Sequence, residues 1–235
     1  RTYRWRDMDV AYAELCDPGD PTLVCLHGIN AAGSSGEFRD VAAALAETHH
    51  VVAPDLPGFG RSDRPSLRYS AALYEDFVAD FLAEYDAPAV VASSLSAAYV
   101  ARAADDDRVT VDSLLAVCPT TRGGPHPPKT WLRELLRSPV VGTGLFDALV
   151  SKPSIRYFNA DHAYADPASV SGDWTDYQWR TTHQRNARFA VAAFVSGHCN
   201  SDIDLGAALR DLDAPVTMVW GRDATLPPLS TGRDL

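Results

Sequence analysis

Lysine is scarce in this 235-residue sequence, because only Lys129 and Lys152 are lysines among its 21 basic residues. Glutamate is scarce as well, since 25 of the 31 acidic residues are aspartate. This composition is typical of proteins from salt-loving archaea, and a GC-rich genome also produces it, so both origins stay open. The net charge of −10 argues against nucleic acid and against an anionic membrane as partners.

Long apolar runs are lacking too. No stretch approaches the ~18 residues that a membrane-spanning helix needs, and the first residues do not show the charged-then-apolar pattern of a secretory leader. The four cysteines form no C-x-x-C pair, which argues against a zinc site or a disulfide framework. We therefore expect no metal site, and buried free thiols in a reducing cytoplasm at Cys16, Cys25, Cys118 and Cys199.

Short apolar runs alternate with helical patterns through residue 119, which predicts an α/β fold with a mostly parallel, doubly wound sheet. Residues 3–15 predict a hairpin, followed by a turn from Asp17 to Asp20. Further strands are predicted at 22–26, 50–54, 89–92, 113–118 and 214–221, and helices at 37–47 and 70–86.

Residues 120–200 break this alternation, because they are rich in proline, glycine, tryptophan, tyrosine and histidine. They predict a mostly helical insertion, with helices near 130–137, 144–150, 154–162, 174–182 and 186–197. The α/β core would then consist of residues 1–119 and 201–235.

One stretch has the pattern of a strand, a sharp turn and a helix, and Ser94 lies at its turn. A serine there exposes its hydroxyl, and its neighbours must be small because the backbone is strained. Ala92 and Ser96 flank Ser94 two residues away on either side, and Ser96 has small flanks of its own. The helix favours Ser94, because with Ser96 as nucleophile Arg102 would be buried without a partner. Ser96 remains the alternative nucleophile.

Three further motifs accompany the serine turn: Leu26-His27-Gly28, Asp55-Leu56-Pro57-Gly58-Phe59-Gly60-Arg61-Ser62 and Val219-Trp220-Gly221. Together they resemble the α/β-hydrolase superfamily, in its serine-hydrolase branch with a helical cap. The resemblance covers nearly the whole chain and implies that residues 120–200 cover the active site. The chain departs from the family at the serine turn, where Ala92 and Ser96 replace the usual glycines.

The resemblance implies a catalytic site built on Ser94 as the nucleophile. The backbone amides of Leu95 and Ile29 would hold the oxyanion, with Asn30 as the alternative to Ile29. His27 and Gly28 would support the oxyanion loop from behind, without His27 acting as a base.

The same resemblance points to Asp223 as the triad acid, although it arrives one residue early after Trp-Gly. The triad histidine is expected still further downstream, and no histidine lies between Asp223 and Leu235. We therefore expect the chain to be truncated at its C-terminus and to have little activity as it stands. A truncated chain would also leave the strand at 216–220 as an exposed edge, which lowers solubility.

The sequence thus predicts a serine hydrolase that cleaves an ester or related acyl bond through an acyl-enzyme on Ser94. The expected partner is a small-molecule substrate, an apolar ester, and no cofactor is implied; the oligomeric state is not indicated. Two alternatives stay open. One is another Ser-dependent chemistry on the same fold, such as carbon–carbon bond hydrolysis, a cofactor-free haloperoxidase or an acyltransferase. The other is a non-catalytic binding protein on a degenerate hydrolase scaffold.

Overall fold

A computed structural model describes residues 1–16 and 19–235, so Asp17 and Pro18 of the expected turn lie outside the described part. Seven strands form one sheet in the order β1-β2-β4-β3-β5-β6-β7. The strands are β1 (Thr2–Trp5), β2 (Met8–Leu15), β3 (Thr22–Leu26), β4 (His50–Pro54), β5 (Ala89–Ser93), β6 (Ser113–Val117) and β7 (Val216–Val219).

Ten α-helices accompany these strands in the described residues. They are α1 (Ala42–Leu45), α2 (Ala71–Leu82), α3 (Leu95–Ala103), α4 (Thr130–Arg137), α5 (Val141–Leu149), α6 (Lys152–Phe158), α7 (Gly172–Thr182), α8 (Arg188–Val195), α9 (Leu205–Asp211) and α10 (Leu229–Arg233). Two 3-10 turns (Ser35–Phe38 and Pro167–Ser169) and one π-turn (Asn159–Ala163) complete the helical elements.

The sheet is parallel from β4 to β7, and only β1 and β2 run antiparallel to their neighbours. Leu26 pairs with Ala92 and Ser93 pairs with Val117, so β3, β5 and β6 end at nearly the same level. The loops after these strands therefore meet at one edge, where ligands bind in such folds. The predicted α/β fold with a mostly parallel sheet is confirmed.

Each face of the sheet has its own apolar core. Val24 and Leu26 of β3 belong to a large cluster that includes the buried faces of α2 and α3. Leu23 and Cys25, the alternate residues of the same strand, belong to a smaller cluster on the opposite face. A strand that is apolar on both faces reads as a continuous apolar run, which is why the run at 22–26 predicts it correctly.

A column of three tyrosines runs through the larger core. Tyr69 stacks on Tyr74 with ring centroids 6.1 Å apart, and Tyr74 stacks on Tyr99 at 5.7 Å. The Tyr99 hydroxyl donates a 2.6 Å hydrogen bond to the Cys199 carbonyl, while the other two hydroxyls donate to carbonyls in the loop after β4. The column thus joins the sheet loop, α2, α3 and the segment that follows α8.

The single helix predicted at 37–47 is wrong. The structure has the 3-10 turn Ser35–Phe38 and, separately, the four-residue helix α1. Neither begins with a side-chain cap, and short uncapped helices gain too little to extend. By contrast, α2 begins where Ser70 Oγ accepts a hydrogen bond from the Leu73 amide.

The expectation that all four cysteines are buried is also wrong. Cys16 is exposed, because it follows the last residue of β2, and Cys118 is half-buried at the end of β6. Cys25 and Cys199 are buried, and burial raises the pKa of the Cys25 thiol to about 12. All four thiols are free of disulfides.

The helices α4 to α8 lie between β6 and β7 in the chain, and α7 contacts loops at the carboxyl edge of the sheet. Trp174 and Tyr177 of α7 pack on Gly36, where an added Cβ would lie 2.8 Å from the Trp174 ring. Arg64 in the loop after β4 donates to the Thr181 carbonyl and to Gln184 Oε1. These contacts join α7 and the turn after it to the sheet edge; the helical cap and the division of the chain into two domains stay predictions.

The strand β7 is the outer strand of the sheet within the described residues. Met218 and Val219 on this strand are 42% and 43% exposed.

Every helix in residues 1–16 and 19–235 is too short or too polar to cross a membrane.

Candidate active site

Ser94 lies between the last residue of β5 and the first residue of α3, in a strained backbone conformation with φ 56° and ψ −125°. Such angles cost a non-glycine residue of order 1–3 kcal/mol and persist only where the surroundings impose them. Here the Ser94 amide donates to the Val117 carbonyl at 2.9 Å, and the Thr120 amide donates to the Ser94 carbonyl at 3.3 Å. The loop after β6 therefore holds the serine turn in place.

Ser96, the alternative nucleophile, is fully buried. Its hydroxyl donates a 2.6 Å hydrogen bond to the His27 carbonyl and so ties α3 to the loop after β3. Arg102 is exposed and pairs with Asp105, as the assignment of the turn to Ser94 requires. The structure thus places Ser94 at the turn and Ser96 in the interior.

The loop that begins at Gly28 lies against the serine turn. A Cβ on Gly28 would lie 3.2 Å from Ser93 Oγ and 3.3 Å from Ser94 Cβ, so a larger residue would push the two apart. Leu95 is the first residue of α3, and the N–H of such a residue has no partner inside its helix. In the part of the chain that the structure describes, neither this amide nor that of Ile29 donates to a recorded acceptor.

His27 uses both ring nitrogens inside the protein. Its Nε2 accepts a 3.0 Å hydrogen bond from the Leu56 amide, and its Nδ1 lies 2.9 Å from the Gly28 carbonyl. An acceptor at Nε2 leaves the proton on Nδ1, which therefore donates to Gly28. His27 fastens the Gly28 loop to the loop after β4, and it has no nitrogen left for the Ser94 proton.

Glu37 is a residue at this site that the sequence reasoning missed. Its Oε2 accepts a 2.9 Å hydrogen bond from the Gly28 amide and lies 3.7 Å from the position of a Gly28 Cβ, the point that Ser94 also approaches. A carboxylate therefore lies beside the serine turn. No local pattern marks this role, because Ser34-x-x-Glu37 would direct the carboxylate to the Ser34 amide, whereas the observed partner Gly28 lies nine residues earlier.

Asp55, the first residue of the long glycine-proline motif, is fully buried and acts as a brace. Its Oδ1 accepts a 2.6 Å hydrogen bond from the Ser35 amide, and its Oδ2 accepts one of 2.8 Å from the Arg61 amide. The motif thus fixes the start of the 3-10 turn that carries Glu37.

Asp223 lies in the exposed turn after β7, at the same edge of the sheet as Ser94. Two inter-strand steps separate β7 from β5, which is roughly 10 Å across the sheet. Among the described residues no histidine is hydrogen-bonded to Asp223 or to Ser94, so the structure does not assemble a triad from them. His162 of the helical segment does reach this loop, with Nδ1 3.3 Å from Thr225 Oγ1.

A small cleft opens beside the Gly28 loop, between the sheet edge and the helices α7 and α8. Its lining is mostly small and apolar, with one buried cation, and consists of Ala31, Ala32, Gly33, Gly58, Phe59, Gly60, Arg64, Thr181, Thr182, Ala187 and Val191. Burial lowers the pKa of Arg64, whose Nε has no hydrogen-bond partner among the described residues.

A wider cavity of about 460 Å³ lies between α6 and α7, away from Ser94. Within residues 1–16 and 19–235, no three His, Cys, Asp or Glu side chains are arranged to hold a metal ion.

Residues 23–233 match the Alpha/beta hydrolase family. The chain belongs to this family. The uncharacterized hydrolase YugF of Bacillus subtilis is 23% identical over 97% of the chain and 82% of its own length. A 2-hydroxy-6-oxononadienedioate/2-hydroxy-6-oxononatrienedioate hydrolase of Dechloromonas aromatica is 25% identical over 96% of the chain and 78% of its own length.

The fold is shared with solved structures. An alpha/beta hydrolase fold protein from Burkholderia ambifaria superposes with a TM-score of 0.73 and 24% identity, covering 100% of this chain and 84% of that one. Local matches to two further curated proteins span 58 and 66 residues, which is 19% of the length of each of those relatives. The family and the fold therefore stand, while the activity and the substrate are matters for proposal.

Proposed function

We propose that this protein is a serine hydrolase that cleaves an ester or related acyl bond through an acyl-enzyme on Ser94. The strained backbone of Ser94 at the end of β5 carries the proposal, because strain of this kind exposes a hydroxyl in front of the helix amides. The two relatives that match nearly the whole chain are both named hydrolases, which supports the same class of reaction.

The reaction starts with attack of Ser94 Oγ on the carbonyl carbon of the substrate. As the new C–O bond forms, the hydroxyl proton passes to a base, and the carbonyl oxygen becomes an oxyanion held by the Ile29 and Leu95 amides. Collapse of this intermediate breaks the C–O bond to the alcohol, which leaves with the proton that the base had taken, and an acyl group stays on Ser94. Water then attacks that ester and gives a proton to the base, and the acid leaves as Ser94 Oγ receives that proton from the base.

The base is the part of the site that the described residues do not supply. His27 has both nitrogens engaged, and no other histidine of the described part is hydrogen-bonded to Ser94. Asp223 would orient a histidine that enters at the same sheet edge. Without such a base we expect turnover by the 235-residue chain to be reduced by several orders of magnitude.

A fluorophosphonate probe tests the nucleophile directly, because it bonds covalently to an accessible active-site serine. We expect the wild type and Ser96→Ala to be labelled at Ser94, and Ser94→Ala not to be labelled, as read by intact mass and peptide mapping. Free imidazole in the buffer should speed the labelling if a base is missing. Labelling that survives in Ser94→Ala would refute the assignment, and no labelling with imidazole present would favour the non-catalytic scaffold.

Carbon–carbon bond hydrolysis is the second candidate, because the relative from Dechloromonas aromatica is named a hydrolase of a hydroxy-oxo dicarboxylate, a compound without an ester bond. The two chemistries are told apart by their products. An ester yields an alcohol and an acid, whereas a carbon–carbon hydrolase yields an acid and a protonated carbon fragment. Activity on p-nitrophenyl esters without activity on a vinylogous diketone would support the ester hydrolase.

A further inference from the structure

Residues 120–158 are positively charged in a strongly acidic chain. Their formal charge is +4, which leaves −14 on the remaining residues of a chain with net charge −10. The charged side chains of the segment are the basic Arg122, Lys129, Arg133, Arg137, Lys152 and Arg156 and the acidic Glu134 and Asp147. The net charge of the whole chain therefore hides a local surface of opposite sign.

The same segment has an unusual share of exposed apolar side chains. Six of the eleven most exposed large apolar residues of the described chain belong to it, namely Trp131, Val140, Val141, Leu145, Tyr157 and Phe158. Val140 is 82% exposed, and Val141 and Leu145 lie one helical turn apart on α5. Scattered apolar residues are ordinary on a protein surface, whereas a concentration of them marks an interaction site.

Val140, Val141 and Leu145 lie at and just after the corner where α4 turns into α5. Arg137, in the last turn of α4, donates hydrogen bonds to the carbonyls of Leu67 and Ser66, which brings exposed Leu67 beside the corner. The Gly142 amide donates to Ser138 Oγ at 2.9 Å and fixes the turn between the helices. We call Leu67, Val140, Val141 and Leu145 the apolar corner.

The cations of residues 120–158 are incompletely neutralised, although Lys152 pairs with Asp176 at 2.7 Å. Glu134 is shared by Arg68, Arg133 and Arg137, at 3.5, 3.2 and 3.9 Å. Arg122, Lys129 and Arg156 are exposed and form no ion pair with the described residues. Asp147 is the only other acid between residues 120 and 158.

We propose that this face docks peripherally on an anionic lipid bilayer, with the apolar corner in the headgroup region and the free cations on lipid phosphates. Apolar side chains beside lysine and arginine are the combination that binds such surfaces. At physiological ionic strength, salt screens electrostatic interactions beyond ~8 Å. Acidic residues on the far side of the protein are therefore screened from the lipid, and the positive charge of residues 120–158 determines the attraction. The proposal goes beyond the hydrolase assignment and does not depend on Ser94.

A second copy of this chain is the competing occupant of the surface. A two-fold dimer would place the same patch on both sides of the interface, so two segments of charge +4 would face each other. An anionic bilayer instead complements the charge and takes up the apolar side chains. The charge pattern therefore favours lipid.

Sedimentation with lipid vesicles tests the proposal on the full 235-residue chain. We expect binding to vesicles that contain phosphatidylglycerol, about tenfold weaker binding to phosphatidylcholine alone, and release by salt. Val140→Asp should weaken binding at least about tenfold. Leu226→Asp is the matched control, because Leu226 is 71% exposed but lies in the loop after β7, and it should bind like the wild type.

A second pair of variants isolates the charge. Lys129→Glu should weaken binding several-fold, whereas Arg102→Glu makes the same charge change on α3, outside the segment, and should have little effect. Circular dichroism checks that all four variants fold. No binding to vesicles, equal loss in test and control variants, or a dimer that Val140→Asp dissociates would each overturn the proposal.

Discussion

The carboxylate of Glu37 accepts a 2.9 Å hydrogen bond from the Gly28 amide, one residue before the proposed oxyanion amide of Ile29. The bond fixes the peptide plane between His27 and Gly28, and so the direction in which the following N–H points. Glu37 is held in turn from two sides, by the Asp55 brace at Ser35 and by the Trp174 ring on Gly36. The helical segment is thereby connected to the proposed oxyanion site.

Replacing Glu37 should disturb this site without unfolding the protein, because the side chain is largely exposed. We expect Glu37→Ala to slow fluorophosphonate labelling of Ser94 about tenfold, since a charged acceptor of this kind is worth about 1.5–3 kcal/mol. Glu37→Gln keeps an acceptor and should lose less. Hydrogen exchange of the Gly28 amide should quicken in the same order.

Glu47→Ala is the matched control for Glu37→Ala, because Glu47 is an exposed glutamate outside the site. Equal labelling and equal Gly28 exchange in the two alanine variants would show that Glu37 does not position the loop.

The strain at Ser94 predicts that two glycine substitutions change the free energy of unfolding in opposite directions. Ser94→Gly removes the penalty of the positive φ and should raise the free energy of unfolding by about 1 kcal/mol. Ser96→Gly should lower it by about 1–2 kcal/mol, because it deletes the buried hydrogen bond to His27 and weakens α3. Urea denaturation measures both, and a destabilised Ser94→Gly would mean that the turn is not strained.

The contact between α7 and the 3-10 turn predicts a large cost for a single methyl group. Gly36→Ala would bring its Cβ to 2.8 and 2.9 Å from the Trp174 ring, so it should destabilise the protein by about 1–3 kcal/mol. Gly144→Ala in α5 meets nothing within 4 Å and should stabilise it by about 0.5–1 kcal/mol. Thermal melts of the two variants that shift in the same direction would argue against the packing of α7 on Gly36.

A pH dependence is expected from His198. Burial, aided by Arg133, lowers its pKa below the usual value near 6.5. Just below pH 6.5, His198 therefore binds a proton in the unfolded chain but not yet in the folded protein, so the free energy of unfolding falls as the pH drops. In the His198→Gln variant the melting temperature should change less with pH between that lowered pKa and pH 6.5 than in the wild type. NMR titration of the His198 ring that gives an ordinary pKa would contradict this.

The strands and the serine turn were predictable because their signals are local. The runs at 22–26 and 113–117 are apolar on both faces, and the small residues around Ser94 are forced by the turn itself. Glu37 was not predicted to act at the site, because its partner Gly28 lies nine residues back and only the loop brings the two together. The same holds for Cys16, whose exposure depends on where β2 ends. The role of Asp223 stays a prediction, since its turn is exposed and meets no histidine of the described chain.

The tyrosine column sets an alkaline limit on the fold. Burial raises the pKa of Tyr69, Tyr74 and Tyr99 above the usual phenol value near 10. Above that pH the unfolded chain gives up three protons that the folded chain keeps, so each further rise in pH favours unfolding. Phenolate absorbance from these three rings should therefore appear only as the tertiary structure is lost, which makes the column an internal optical reporter of the core.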